Sequence, residues 1–204
     1  MPGNQTTSQS AARRPVGRPR SQAARHAILD TAYSLLKRKP LAEITMVQIA
    51  RKAGVSTATL YRWWRTQEAL LFEAFMHKTK HVVVLSAKGR PLDRLHDYVM
   101  QTGRFFIGED GIVVARLLAA IQDNSFLRKE FARQILTPRR REARALVRQL
   151  VQDRQLPAGA DADLFLETIL GPLLIRLLLR HEQLSEKYIR AVCNYGMANA
   201  AARA

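Results

Sequence analysis

The stretch from Ile44 to Phe75, ITMVQIARKAGVSTATLYRWWRTQEALLFEAF, predicts two short helices that meet at Gly54 and a third helix soon after them. Thr45 and Gln48 have the spacing of a capping box, in which each side chain can satisfy a free backbone N–H of the first helical turn. Gly54 then acts as a C-cap, because a residue without a Cβ adopts the left-handed conformation readily. Ser56 can cap the next helix at once.

The second helix, Thr57 to Trp64, has a buried face and an exposed face. Leu60 and Trp64 fall on one side at helical spacing, which predicts that they pack inward. The opposite side carries small, hydroxylated, aromatic and cationic residues, which suit the major groove, where base edges offer donors, acceptors and thymine methyl groups. The pattern indicates a helix-turn-helix. An ordinary corner between two helices is the alternative that geometry alone leaves open.

The string T-x-x-x-I-A-x-x-A-G-V-S-x-x-T-L-Y-R, followed by E-A-L-L, resembles the N-terminal DNA-binding domain of the TetR family of transcriptional regulators. The resemblance covers about Ala24 to Phe75. It implies an all-α protein in which a three-helix DNA-binding domain with a helix-turn-helix precedes a larger helical domain for ligand binding and dimerisation. Three positions depart from the common pattern: Ala58 replaces a frequent glycine, Trp64 a phenylalanine, and Gln67 a lysine that often holds a phosphate.

We expect residues 23–75 to bind double-stranded DNA, with Tyr61 and Arg62 acting in specific binding. The other expected contacts are Thr45, Thr57, Ala58, Thr59, Trp63 and Gln67, the last through a neutral hydrogen bond. The charge agrees with this partner. The net charge is +16, and the chain up to Lys80 holds 14 Lys and Arg residues against 4 Asp and Glu residues. Such an excess attracts phosphate backbones.

Residues 1–22 are rich in Gln, Ser, Pro and Arg and lack periodicity, which predicts a basic disordered arm. Within this arm Gly17-Arg18-Pro19-Arg20 resembles the core of an AT-hook, in which an extended segment lays arginines along a narrow minor groove. Arg18 and Arg20 are therefore candidate minor-groove contacts. A basic tail that only improves solubility is the alternative. A helix from about Ser21 to Lys39 should follow the arm.

Residues 76–204 show helical patterns without a convincing strand, which predicts a helical ligand-binding and dimerisation domain. The third helix of the Ile44–Phe75 stretch is predicted to run from Thr66 to about Leu85. Pro138 should bend or interrupt a long basic helix from Ser125 to Gln155. The resemblance implies a pocket for a small-molecule effector among these helices, with apolar walls expected from Phe105, Phe106, Leu117, Ile121, Phe126 and Phe131.

The last two predicted helices, Asp161 to His181 and Ser185 to about Ala201, carry more apolar surface than one domain needs. A second copy of the chain could bury that surface in a four-helix bundle, and the resemblance also implies a homodimer. The expected interface residues are Leu173, Leu177, Tyr188 and Val192. A central core helix of a monomer is the alternative reading of the first of these helices.

Enzyme and membrane classes find little support in the sequence. His96-Asp97 has no further ligand at metal spacing, and His181-Glu182 is followed by Ser185 where a zinc protease carries its second histidine. We therefore expect no catalytic residue, metal or cofactor. No apolar run approaches the ~20 residues of a membrane span, and no signal-peptide core is visible, which predicts a cytoplasmic protein.

The sequence therefore predicts a sequence-specific DNA-binding transcriptional regulator, a ligand-responsive repressor that binds a palindromic operator as a homodimer. A non-specific architectural DNA-binding protein is the alternative. The two differ in whether Thr57, Tyr61 and Arg62 contact base edges, because an architectural protein has no need of such contacts.

Overall fold

The computed structural model describes residues 18–201, with side chains from residue 22 to residue 198. Every regular element in this range is a helix, which confirms the predicted all-α fold. In chain order the helices are α1 (Arg18–Leu36), α2 (Met46–Ala53), α3 (Thr57–Trp63), α4 (Gln67–Thr79), α5 (Pro91–Ile107), α6 (Glu109–Asp123), α7 (Ser125–Phe131), α8 (Thr137–Gln152), α9 (Ala162–Leu179) and α10 (Glu186–Ala201). Within residues 18–201, none of these helices combines the length and apolarity needed to cross a bilayer.

Helices α1 to α4 form the N-terminal part of the fold, the head, and the helices that follow form the body. The long helix α1 packs along α4 and against α2, while α3 packs on α2. The centre of the head is filled by branched aliphatic side chains that are almost wholly inaccessible to solvent, namely Ile28, Leu29, Ile44, Ile49, Leu60, Leu70 and Leu71. Burial of such side chains provides the main stabilisation of a small helical unit.

Helices α5, α8, α9 and α10 enclose a second core, which includes Leu95, Val99, Leu146, Leu150, Ile169 and Ile189. Two glycines let α10 approach its neighbours closely. A Cβ on Gly103 of α5 would lie 2.4 Å from the Ile189 side chain, and one on Gly196 would lie 2.6 Å from that of Ile169. Larger residues at either glycine would therefore push α10 outward.

Helix α4 is shared by the head and the C-terminal body. Its Leu70 and Leu71 belong to the head, whereas Phe75 and Thr79 near its end face α5 and the helices that follow. The hydrophobic cluster of the head accordingly continues into the body through Tyr98, Phe105 and further residues. The two parts of the chain are thus packed as well as covalently joined.

Three helix boundaries differ from those predicted. Helix α1 begins at Arg18 instead of about Ser21, and α4 ends at Thr79 instead of about Leu85. The hydroxyl of Thr79 donates to the Phe75 carbonyl, and the valines that follow are β-branched residues with weak helix propensity. The predicted long basic helix is divided into α7, a π-helical turn at Ala132–Leu136 and α8.

The division lies where Pro138 was expected to interrupt the helix. The Thr137 N–H bonds to the Ala132 carbonyl, five residues earlier, and Pro138 stands in the first turn of α8. A proline in the first turn needs no N–H partner, so a new helix can begin there without loss of a hydrogen bond.

Candidate DNA-binding surface and ligand cavity

The turn between α2 and α3 is built by local caps. The Thr45 hydroxyl accepts from the Gln48 N–H at 3.2 Å, and the Gln48 side chain accepts from the Thr45 N–H at 3.5 Å, which confirms the predicted capping box. Gly54 lies in the left-handed region with φ 67° and ψ 31°. Ser56 then caps α3 by accepting from the Thr59 N–H at 3.2 Å. The chain therefore reverses within three residues, as a helix-turn-helix requires.

The buried side of α3 is the one that the sequence predicts. Leu60 is completely buried and Trp64 is 3% exposed. On the opposite side Tyr61 is 55% exposed, and Ala58 and Arg62 are also exposed. The remaining candidates on α3 are half-buried, namely Thr57, Thr59 and Trp63. The exposed side of α3 is therefore accessible to a large partner such as a DNA duplex.

The end of α3 is fastened to α4 and α1 through Trp64. The indole N–H of Trp64 donates to the Glu73 carboxylate at 2.8 Å, and Arg25 of α1 forms an ion pair with the same carboxylate. The Arg25 guanidinium also lies 5.8 Å from the centre of the Trp64 ring. The sequence analysis missed Arg25 and Glu73, because residues 48 positions apart give no local signal of contact.

Six exposed cations lie in the stretch of chain from Arg38 to Arg65, which contains α2 and α3. They are Arg38, Lys39, Arg51, Lys52, Arg62 and Arg65, and none of these side chains forms an ion pair with another residue in the described range. Unpaired surface cations of this kind can each meet a phosphate. Only Glu43 contributes an acidic side chain to the same stretch of chain.

Gln67 has a structural role within the head. One amide N–H donates to the Leu41 carbonyl at 3.0 Å and so joins the start of α4 to the turn before α2. The amide has a second N–H, so the expected phosphate contact stays a prediction. Arg18 and Arg20 differ from expectation, because the backbone there forms the first turn of α1 rather than an extended segment. Residues 1–17, which include the rest of the proposed arm, lie outside the described residues.

The head meets the body at the C-terminal end of α1. The Tyr33 hydroxyl donates to the Asp110 carboxylate at 2.7 Å, and Lys37 pairs with Glu109 at 3.0 Å. Burial, followed by the hydrogen bond to Asp110, raises the pKa of Tyr33, so its phenol remains a protonated donor. Both acidic residues stand at the start of α6.

A cavity of about 590 Å³ lies between α4 and the helices of the body. Four of the six expected wall residues line it, namely Phe105, Phe106, Ile121 and Phe131. Leu117 and Phe126 do not: the first is 3% exposed within the core, and the second is 43% exposed on the surface. The apolar pattern did not indicate the contribution of α4, which supplies Phe75, Met76 and Thr79, or that of Lys80 directly after it. A cavity of this volume matches ordinary small-molecule sites, which span roughly 300–1,000 Å³.

The expected dimer residues need a correction. Leu173 and Leu177 are 0% and 6% exposed, so they belong to the core of this chain and offer no surface to a partner. Tyr188 and Val192 are half-buried. The apolar residues that α9 and α10 do expose are Leu164, Ile175, Leu178, Leu179 and Tyr195. The apolar residues of α9 are spread around the helix without a preferred side, so their spacing did not indicate which face points outward.

Two further observations concern the rest of the chain. Among residues 18–201, no group of three or more His, Cys, Asp and Glu side chains could hold a metal ion. Cys193 is a free, buried thiol in α10. A capped helix-turn-helix with α3 as its exposed reading helix, carried on a helical body, defines a helix-turn-helix DNA-binding protein.

Comparison with known proteins identifies the family. The model for "Bacterial regulatory proteins, tetR family" matches residues 28–74, and the model for "Tetracyclin repressor-like, C-terminal domain" matches residues 87–195. The chain therefore belongs to the TetR family of transcriptional regulators and is not an enzyme. It is 29% identical over 174 residues to the uncharacterized HTH-type transcriptional regulator YdeS of Bacillus subtilis, which covers 85% of this chain and 88% of that protein.

Two solved structures share the fold. FadR from Bacillus subtilis, in complex with stearoyl-CoA, is 18% identical with a TM-score of 0.71, covering 84% of this chain and 97% of that one. MexZ, a key repressor responsible for antibiotic resistance in Pseudomonas aeruginosa, is 22% identical with a TM-score of 0.64, covering 86% of this chain and 95% of that one. Both similarities extend over head and body together.

Proposed function

We propose that this protein is a ligand-responsive repressor that binds a palindromic operator as a homodimer. The observation that carries the proposal is the double role of α4. This helix is the fourth helix of the head, and its last turn forms part of the cavity wall through Phe75, Met76 and Thr79. A ligand in the cavity would therefore contact α4, the helix to which the end of α3 is bonded through Trp64 and Glu73.

Base recognition is assigned to the exposed side of α3. Tyr61 and Arg62 project from the face opposite the buried Leu60, and a guanidinium can bind the edge of guanine through two hydrogen bonds. Thr45, at the start of α2, would contact the DNA backbone, and Thr57, at the start of α3, would act with Tyr61 and Arg62 at base edges. The exposed cations from Arg38 to Arg65 would supply the non-specific part of the affinity.

Dimer formation is assigned to the exposed apolar face of α9, with α10 beside it. Leu164 and Ile175 are 64% and 53% exposed and lie 11 residues apart, which is close to three helical turns, so they share one face. Leu178 and Leu179 extend the same face, and Tyr195 of α10 is 71% exposed. Pairing two copies would remove these side chains from water and give a two-fold protein for a two-fold operator.

Repression and its release require a ligand that favours one state of the dimer. A ligand releases DNA only if it binds more tightly to the dimer whose reading helices are wrongly spaced. The two reading helices must sit about 34–36 Å apart to enter successive major grooves. The relatives support this reading, since the FadR structure holds stearoyl-CoA and MexZ is described as a repressor.

The test begins with selection of the operator. The purified full chain is mixed with random DNA fragments, and the retained fragments are sequenced. The proposal predicts an inverted repeat that binds far more tightly than random duplex at the same salt concentration. Equal affinity for the repeat and for random duplex would favour the alternative, an architectural DNA-binding protein that uses the cations from Arg38 to Arg65 without base contacts.

A further inference from the structure

Most polar groups on the wall of the cavity are already engaged within the protein. The hydroxyls of Thr79 and Thr102 each donate at 2.8 Å to the carbonyl four residues earlier. Gln134 donates its amide N–H to the Glu130 carboxylate at 2.5 Å. The two threonine hydroxyls therefore have no free donor for a ligand, and Gln134 keeps only its second amide N–H.

The acidic groups on the wall are neutralised or lie in water. Glu167 accepts from Arg140 at 2.8 Å, and Asp163 accepts from Arg144, which also holds the pKa of Asp163 below its ordinary value. Glu142 is exposed to solvent at the edge of the cavity. The wall thus offers little attraction to a positively charged ligand.

Three wall residues have side-chain donors that bond to no described residue: Lys80, which is exposed just after α4, and Tyr98 and Arg139, which lie on the packed helices α5 and α8. Tyr98 is 6% exposed, and its hydroxyl forms no hydrogen bond to a described residue. Every fully enclosed side-chain N or O atom among the described residues has a hydrogen-bond partner. The Tyr98 hydroxyl has none, so it is not fully enclosed, and we place it at the cavity that Tyr98 lines. Arg139, on α8, is half-buried on the same wall and forms no ion pair with a described residue. Arg139 and Glu142, three residues further along α8, are both near enough for their charges to act on the pKa of the Tyr98 phenol.

An unpaired, half-buried guanidinium beside a buried hydroxyl is an arrangement that an anion would complete. A charged group out of water is stabilised by a partner of opposite charge, and hydrogen bonds between charged groups are about twice as strong as neutral ones. Burial raises the pKa of Tyr98, so the phenol stays protonated and can donate a hydrogen bond beside Arg139. The rest of the wall is apolar, with Phe105, Phe106 and Phe131.

We propose that the cavity binds a hydrophobic monoanion whose acidic group lies between Arg139 and Tyr98 and whose apolar body lies among the three phenylalanines. This inference rests on the proposed function of the cavity as the effector site. A lipophilic cation would face Arg139 directly. A neutral molecule of the same shape would leave the guanidinium without a partner and would bind less tightly.

The test uses three probes with the same ten-carbon chain: decanoate, 1-decanol and decyltrimethylammonium. Each is titrated by calorimetry into the full chain without DNA, below the concentration at which the probe aggregates. The variants are Arg139→Gln and Tyr98→Phe. Arg141→Gln is the matched control, because Arg141 is an exposed arginine of the same helix that does not line the cavity. Thermal melts establish that each variant is folded.

Decanoate should bind most tightly, and Arg139→Gln should weaken it by about 10- to 100-fold while leaving decanol nearly unchanged. Tyr98→Phe should weaken decanoate less, and Arg141→Gln should have no effect. Equal binding of all three probes, an unchanged affinity of Arg139→Gln for decanoate, or failure of decanoate to bind would each overturn the inference. Decanoate that binds as expected but leaves operator affinity unchanged would support the inference and contradict the proposed ligand response.

Discussion

The Tyr33 hydroxyl donates a 2.7 Å hydrogen bond to the Asp110 carboxylate and thereby joins the first helix of the head to the start of α6. Helix α6 also lines the cavity with Val114, Leu118 and Ile121. The head is therefore connected to the cavity by two routes, covalently through α4 and by this hydrogen bond through α6. A ligand that moves α6 would act on the same head as one that moves α4.

Tyr33→Phe tests the second route. The change removes one hydrogen bond to a carboxylate, so the free energy of unfolding should fall by about 1–2 kcal/mol. Operator affinity without effector should change little, whereas the weakening caused by effector should become smaller. Titration of operator with and without effector measures both. An unchanged effector response in Tyr33→Phe would mean that this hydrogen bond does not transmit the response.

Trp64→Phe tests how the end of α3 is held. Phenylalanine keeps the buried ring but lacks the N–H that donates to Glu73 at 2.8 Å. We expect the free energy of unfolding, measured in urea, to fall by about 1–3 kcal/mol because the lost hydrogen bond is one to a charged acceptor. Trp63→Phe is the control, since Trp63 contacts Trp64 edge to face but forms no hydrogen bond to Glu73. Equal losses in the two variants would mean that ring size, not the hydrogen bond, matters.

The turn of the helix-turn-helix could be predicted because its signals are local. Thr45, Gln48, Gly54 and Ser56 act on backbone groups within a few residues, so their spacing in the sequence reports the structure directly. The role of Gln67 could not be predicted in this way. Its partner, the Leu41 carbonyl, lies 26 residues earlier and comes near only when the head is folded.

The body was harder to predict in detail because its residues are alike. Leu173 and Ile175 are both large aliphatic residues of α9, yet the first is fully buried and the second 53% exposed. Leu117 and Ile121 of α6 are also both large aliphatic residues, but only Ile121 lines the cavity. An apolar side chain can serve a core, a cavity or an interface, and the packing of the whole chain decides which.

The exposed face of α9 predicts that the double variant Ile175→Asp and Leu178→Asp is a monomer. Charges at two exposed positions should prevent association without disturbing the core, so the circular dichroism spectrum should stay helical. Sedimentation at micromolar concentration gives the mass, and operator affinity should fall because one head contacts only a half-site. A double variant that keeps the mass of two chains would place the interface elsewhere.

Cys193 gives a prediction about pH. Burial raises the pKa of its thiol to about 11, so the thiol should react with an aromatic disulfide reagent far more slowly in the folded protein than in urea at pH 8. The folded state holds this proton more tightly than the unfolded state. Stability from this residue is therefore complete below the ordinary thiol pKa and is lost as the pH rises toward 11. Rapid labelling of the folded protein at pH 8 would contradict this placement.

Arg62 provides the most direct test of the central claim that α3 reads a DNA sequence. If Arg62 makes a bidentate base contact, Arg62→Ala should weaken the selected operator by about 1–3 kcal/mol and random duplex of equal length by less. Arg148→Ala is the control, because it removes the same charge from an exposed position on α8. Fluorescence anisotropy at fixed salt measures the affinities of the two variants and of the unaltered chain for operator and for random duplex. A large loss confined to the operator and to Arg62→Ala is the predicted result, and equal losses on operator and random duplex would contradict it.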